Sequence, residues 1–170
     1  MARYRNFDGA LGAGTEVHAL RPALDDVRLR RAGLKAALSG LELALAAPFA
    51  NRAEWVMHVR DALDAVHDVW TRHIVETEAP GAFLDELVTE APRLATPASR
   101  LRREHSDILA TIVRAEKRLV TPETDVDAYV AWAEEMRVEL TALLAALARH
   151  RQRGADLVYE AYAVDLGGGY

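Results

Sequence analysis

The sequence predicts an all-α protein, an antiparallel up-down four-helix bundle built as one domain, and three observations carry this. Apolar residues recur at steps of three and four along four long segments. Alanine and leucine dominate, β-branched residues are thin, and only 6% of the chain is aromatic, a balance that favours helix over sheet. Turn signals at Pro48, Pro80-Gly81 and Thr121-Pro122 separate the segments. A chain of 170 residues can bury one sizeable core.

Residues 1–19 are rich in glycine and polar side chains and read as an irregular lead-in. The bundle is expected over 20–163. The first helix carries Leu20, Leu24, Val27, Arg31, Leu34, Leu38, Leu41 and Leu45, with Pro22 in its first turn and Pro48 closing it. Asn51 is a candidate N-cap for the second helix, and Glu54 three residues on completes a capping box. Its stripe is Val56, Val59, Leu63, Val66, Trp70, His73 and Thr77, ended by Pro80-Gly81. A short amphipathic piece follows at 83–87. The third helix runs from about Pro97 to Leu119 on Leu101, His105, Ile108, Ile112 and Leu119. The fourth is long, to about Tyr162, on Tyr129, Trp132, Met136, Leu140, Leu143, Leu147, His150, Gly154, Leu157 and Ala161. Residues 164–170 form a tail with Gly167 to Gly169. Four helices with short connections pack best as an antiparallel bundle.

Composition narrows the function classes. The net charge is −5 and the basic run Arg28 to Arg31 is short, so no nucleic-acid partner is expected. There is no cysteine, which excludes disulfides, thiolate metal sites and cysteine nucleophiles and fits a reducing cytoplasm. The first residues lack the apolar core of a signal peptide. No apolar run approaches the ~18 residues of a membrane span. A cytoplasmic protein without a membrane partner is the expectation. The oligomeric state is not written in the sequence. No strand–glycine-loop–helix unit marks a nucleotide fold.

The histidines carry the chemistry. Of six, His18 lies in the lead-in, and His58 and His67 flank the stripe of the second helix. His73, His105 and His150 each occupy a stripe position and should face the core. His105 is eight residues after Pro97 and His73 is seven before Pro80. With His150 near the end of the fourth helix and a rise of about 1.5 Å per residue, an up-down bundle puts all three at one level. Val27 is the matching position on the first helix. Buried imidazoles need partners, and a metal ion is the commonest way to gather several.

At these residues the chain resembles the hemerythrin-like, cation-binding four-helix-bundle family. The resemblance covers roughly 20–168. It rests on Trp70-Thr-Arg-His73-Ile-Val-Glu76-Thr-Glu78 followed by Gly81-Ala-Phe83, on Pro92-Arg93-Leu94, on Arg102-Arg103-Glu104-His105, and on His150 followed by Asp156-Leu157 and Glu160 to Asp165. It implies two non-haem irons between the helices, held by histidines and bridging carboxylates. The sequence departs from that pattern at Val27, at Thr77 four residues past His73, at Leu109 four past His105, and at Gly154 and Ala155 past His150.

With the bridging carboxylates absent from those places, a di-iron centre of the usual kind is not expected. The expectation is a reduced site. His73, His105 and His150 hold one metal ion, a single non-haem iron or zinc, with Glu76 adding an oxygen, for the oxygen- or redox-related chemistry and small-molecule partner that the resemblance implies. Val27, Arg31, Thr77 and Gly154 are expected to line the pocket. The alternatives are a metal-free bundle using the site for small-molecule binding or acid/base catalysis, and an interaction protein without chemistry.

Overall fold

The computed structural model describes residues 32–48 and 50–163. The lead-in, the first part of the predicted first helix with Val27 and Arg31, and the tail lie outside the described residues. Among the described residues every regular element is helical. There are four long helices: α1 over 32–46, α2 over Arg52–Glu78, α4 over Ala95–Val120 and α5 over Val126–Ala163. A short α3, Phe83–Glu90, and a 3-10 turn, Pro92–Leu94, join α2 to α4. No described helix is long and apolar enough to cross a membrane.

Local chemistry sets the boundaries. The Asn51 side chain accepts the Glu54 backbone N–H at 3.4 Å, as an N-cap does. The Glu54 carboxylate returns to the Asn51 side-chain amide at 2.9 Å, a variant of the expected box. Gly81 takes φ +74°, a left-handed conformation that a side chain disfavours, and its N–H donates to Asp85 at 3.2 Å across the start of α3. α4 begins at Ala95, two residues before the predicted Pro97. Proline is accepted there because first-turn N–H groups have no intrahelical partner. Asp125 caps α5, accepting the Ala128 N–H at 2.9 Å.

Side-chain bonds tie the helices together in a consistent order. From α2 to α4, Arg60 donates to the Leu119 carbonyl at 2.6 Å, His67 meets Glu116 at 2.6 Å, and Trp70 Nε1 donates to the His105 carbonyl at 3.3 Å. Residue numbers thus rise on α2 as they fall on α4. From α4 to α5, Arg118 donates to Glu139 at 2.6 Å and Arg153 to Glu104 at 2.7 Å. Arg137 of α5 donates to the Leu45 and Ala47 carbonyls at 2.8 and 3.1 Å, satisfying the C-terminal end of α1.

The core is divided. A large cluster includes Leu41, Leu63, Trp70, Ile108, Ile112, Leu140 and Leu147. A smaller one under α3 holds Leu84, Leu87, Leu94, Leu101 and Leu157. Along α4, His105 falls between Leu101 of the small cluster and Ile108 of the large one. Along α5, His150 falls between Leu147 and Leu157. The histidines therefore occupy a polar level between two apolar clusters.

Candidate metal centre

Helical spacing delivers the three histidines. His73 follows Trp70 by three residues, His105 follows Leu101 by four, and His150 follows Leu147 by three, so each continues a buried stripe. His105 is 2% exposed and His150 4%, while His73 is half-buried. Their rings pack edge to face or tilted, with centroids 4.6 Å apart for His105–His150, 5.1 Å for His73–His105 and 5.5 Å for His73–His150. Trp70 touches all three, at 5.0 to 5.4 Å between centroids, and closes the level on the side of the large cluster.

The nitrogens converge. His150 Nε2 stands 3.1 Å from His105 Nε2 and 3.3 Å from His73 Nε2. One ligand atom from each ring lies within 4.8 Å of the others, a group that could hold a metal ion. On the outer side of the rings, His105 Nδ1 pairs with the Glu78 carboxylate, and His150 Nδ1 with Glu104 at 3.2 Å. Glu104 is held in turn by Arg153 at 2.7 Å and Arg100 at 3.4 Å.

Burial decides the charge state of two of the rings. The His73 pKa falls to about 4, first because burial penalises the cation, then because His105 and His150 repel a second charge. The His150 pKa also falls to about 4, through burial first and His105 second, against the opposing pull of Glu104. Both are neutral at pH 7, the form that ligates a metal.

The other expected residues fall in different places. Glu76 is exposed on α2 and stands outside the three-histidine group. The acidic side chain that reaches the cluster from α2 is Glu78. The helical turn of about 100° per residue explains the exchange: measured from Trp70, Glu78 lies roughly 80° to one side and Glu76 roughly 120° to the other. The first side faces α4. Thr77 is half-buried, and its hydroxyl donates to the His73 carbonyl at 2.8 Å, so it is satisfied within its own helix. Gly154 is half-buried, and among the described residues a methyl group built on it would meet nothing within 4 Å.

Sequence reasoning missed the roles of Trp70, Glu104 and Arg153. The signal for Glu104 was its place beside His105: adjacent helical residues point about 100° apart, so one faces α5 when the other faces the cluster. No family model, curated protein or solved structure matches the chain.

Proposed function

We propose that this chain is a metal-binding helical bundle in which His73, His105 and His150 hold one divalent ion through their Nε2 atoms. The convergence of those three atoms carries the reading. An ion with nitrogen bonds of about 2.0–2.1 Å keeps its nitrogen ligands ~3 Å apart at right angles and ~3.4 Å apart in a tetrahedron. The two Nε2 separations from His150, 3.1 Å to His105 and 3.3 Å to His73, fall in that interval, and the three ligand atoms together lie within 4.8 Å of one another. Three imidazoles with positions left open suit zinc or a single non-haem iron. The outward placement of Glu78 and Glu104, on Nδ1 rather than between the rings, supports one ion over a carboxylate-bridged pair.

The pairing order among α2, α4 and α5 supports the up-down antiparallel bundle, and with it the hemerythrin-like reading of the motifs. Oxygen- or redox-linked chemistry on a small molecule follows from that resemblance if the ion is iron. A zinc ion in the same place would instead activate bound water. A metal-free pocket is the second reading, favoured by the absence of any described side chain within 4 Å of a methyl group built on Gly154.

Metal analysis of the full chain, purified without a chelating tag, tests the proposal. One equivalent of metal, lost in His105→Ala, is the expected result. No metal on a folded chain would sink the proposal in favour of the pocket. Two irons per chain would overturn the single-ion reading.

A further inference from the structure

The contacts on the far side of the rings go further than the ligand set. An ionised carboxylate only accepts hydrogen bonds, so a ring nitrogen facing one must carry the proton. His105 Nδ1 faces Glu78 and His150 Nδ1 faces Glu104 at 3.2 Å. A neutral imidazole with its proton on Nδ1 has a bare lone pair on Nε2. Those two Nε2 atoms stand 3.1 Å apart. Two lone pairs aimed at each other at that distance repel; a cation between them removes the repulsion, and in the metal-free chain the rings relieve it by turning slightly apart while each keeps its Nδ1 contact.

Resting on the metal reading above, we infer that Glu78 and Glu104 are positioning residues for the centre. Each fixes the tautomer and orientation of one ligand and directs its Nε2 lone pair at a shared ion. The fold builds the two contacts differently. Glu78 leaves the last turn of α2 and crosses to His105 on α4. Glu104 sits beside His105 on α4 and crosses to His150 on α5. It is gripped by Arg153, three residues past the histidine that it orients, and by Arg100 one turn before it on its own helix. Both arginines and Glu104 line an open groove of about 700 Å³ between α4 and α5. Water therefore reaches the outer side of this carboxylate, while its inner oxygen holds the ring.

Outer carboxylates of this kind raise ligand basicity, and their loss typically costs about 10- to 100-fold in metal affinity. Glutamine is the informative substitution, because its amide oxygen still accepts the Nδ1 proton while the charge is removed. The test uses the full chain and two readouts. In the ¹⁵N-labelled, metal-free chain, long-range proton–nitrogen spectra report which ring nitrogen carries the proton. His105 and His150 are both expected as Nδ1–H tautomers; an Nε2–H form at either ring overturns the assignment for its glutamate. Co²⁺ is then titrated into the chain and into Glu78→Gln, Glu104→Gln and Glu116→Gln. The first two should bind about 10- to 100-fold more weakly with the visible band unchanged in shape, because the three nitrogen ligands remain, and the third should bind as the parent does. Equal Co²⁺ affinity in all four proteins overturns the positioning role. A parent chain that takes no Co²⁺ but shows both Nδ1–H tautomers overturns the metal reading and leaves the orientation of the rings standing.

Discussion

Two histidine–glutamate pairs join α2 to α4, one from the middle of α2 to the last turns of α4 and one from the end of α2 to the middle of α4. In the first, His67 of α2 meets Glu116 of α4 at 2.6 Å, with the side chains 33% and 22% exposed. In the second the direction is reversed: Glu78 of α2 meets His105 of α4, and the histidine is 2% exposed. The chemistry of the two contacts is the same. The difference lies behind the ring. His67 flanks its stripe. His105 continues one, so its second nitrogen points at His150 and its edge meets Trp70. A histidine–carboxylate pair becomes part of a candidate centre when burial turns the remaining nitrogen toward other ligands.

Deleting each histidine should separate the two pairs most strongly. His105→Ala should abolish metal binding, because three imidazoles become two and the ring joining the other outer contacts is lost. His67→Ala should leave metal content unchanged. Elemental analysis of both variants checks the pair, and metal retained in His105→Ala would remove the distinction between the two contacts. Exchanging the glutamates gives a smaller effect of the same kind. Glu78→Gln should weaken binding by about 10- to 100-fold, against less than about twofold for Glu116→Gln, as read by competition with a chelating dye.

Acid comes next. The pKa values of His73 and His150 stand near 4 in the fold, against 6.5 for an exposed histidine. Protons should therefore begin to displace the ion only well below pH 6.5, and dialysis at stepped pH should retain metal at pH 6. Release centred near 6.5 would contradict the burial of these rings. The same shifts set the acid response of the metal-free chain. Between pH 4 and 6.5 the unfolded state binds more protons than the folded one, so stability falls as pH drops through that window and is fully present above it. Denaturant midpoints measured at pH 7.5 and 5.0 test the sign.

Among the described residues, stripe arithmetic gave the bounds of α2 and α4 and the ends of α1 and α5 to within a residue or two, and it put the three histidines close together. Leu63, Trp70, Ile108, Leu140 and Leu147 are all buried where the three-four spacing put them. Trp55 and Ala133 are buried too, though neither was in the predicted stripes, because a packed face is wider than one line of residues. The partners of the rings were harder to read. Glu76 and Glu78 flank Thr77 in sequence, and only the place of α4 beside α2 decides which of them reaches a ring. Glu104 and Arg153 lie on different helices, so no spacing within one segment relates them. Contacts along a helix are periodic and legible; contacts across helices depend on which neighbour stands opposite.

The smallest expected effect concerns stability. The His67–Glu116 pair is partly open to solvent, and exposed ion pairs contribute roughly 0–1 kcal/mol, screened by salt. A double-mutant cycle with His67→Ala and Glu116→Ala should give a coupling inside that range, shrinking as salt is added. The Glu78–His105 pair should behave otherwise in the metal-free chain. Glu78→Ala leaves a buried ring nitrogen without its acceptor, which costs roughly 1–3 kcal/mol and responds little to salt. Urea unfolding of the single and double variants at two salt concentrations separates these cases. Equal couplings with equal salt dependence would mean that both pairs sit in the same watery surroundings, and burial could not then be what sets His105 apart from His67.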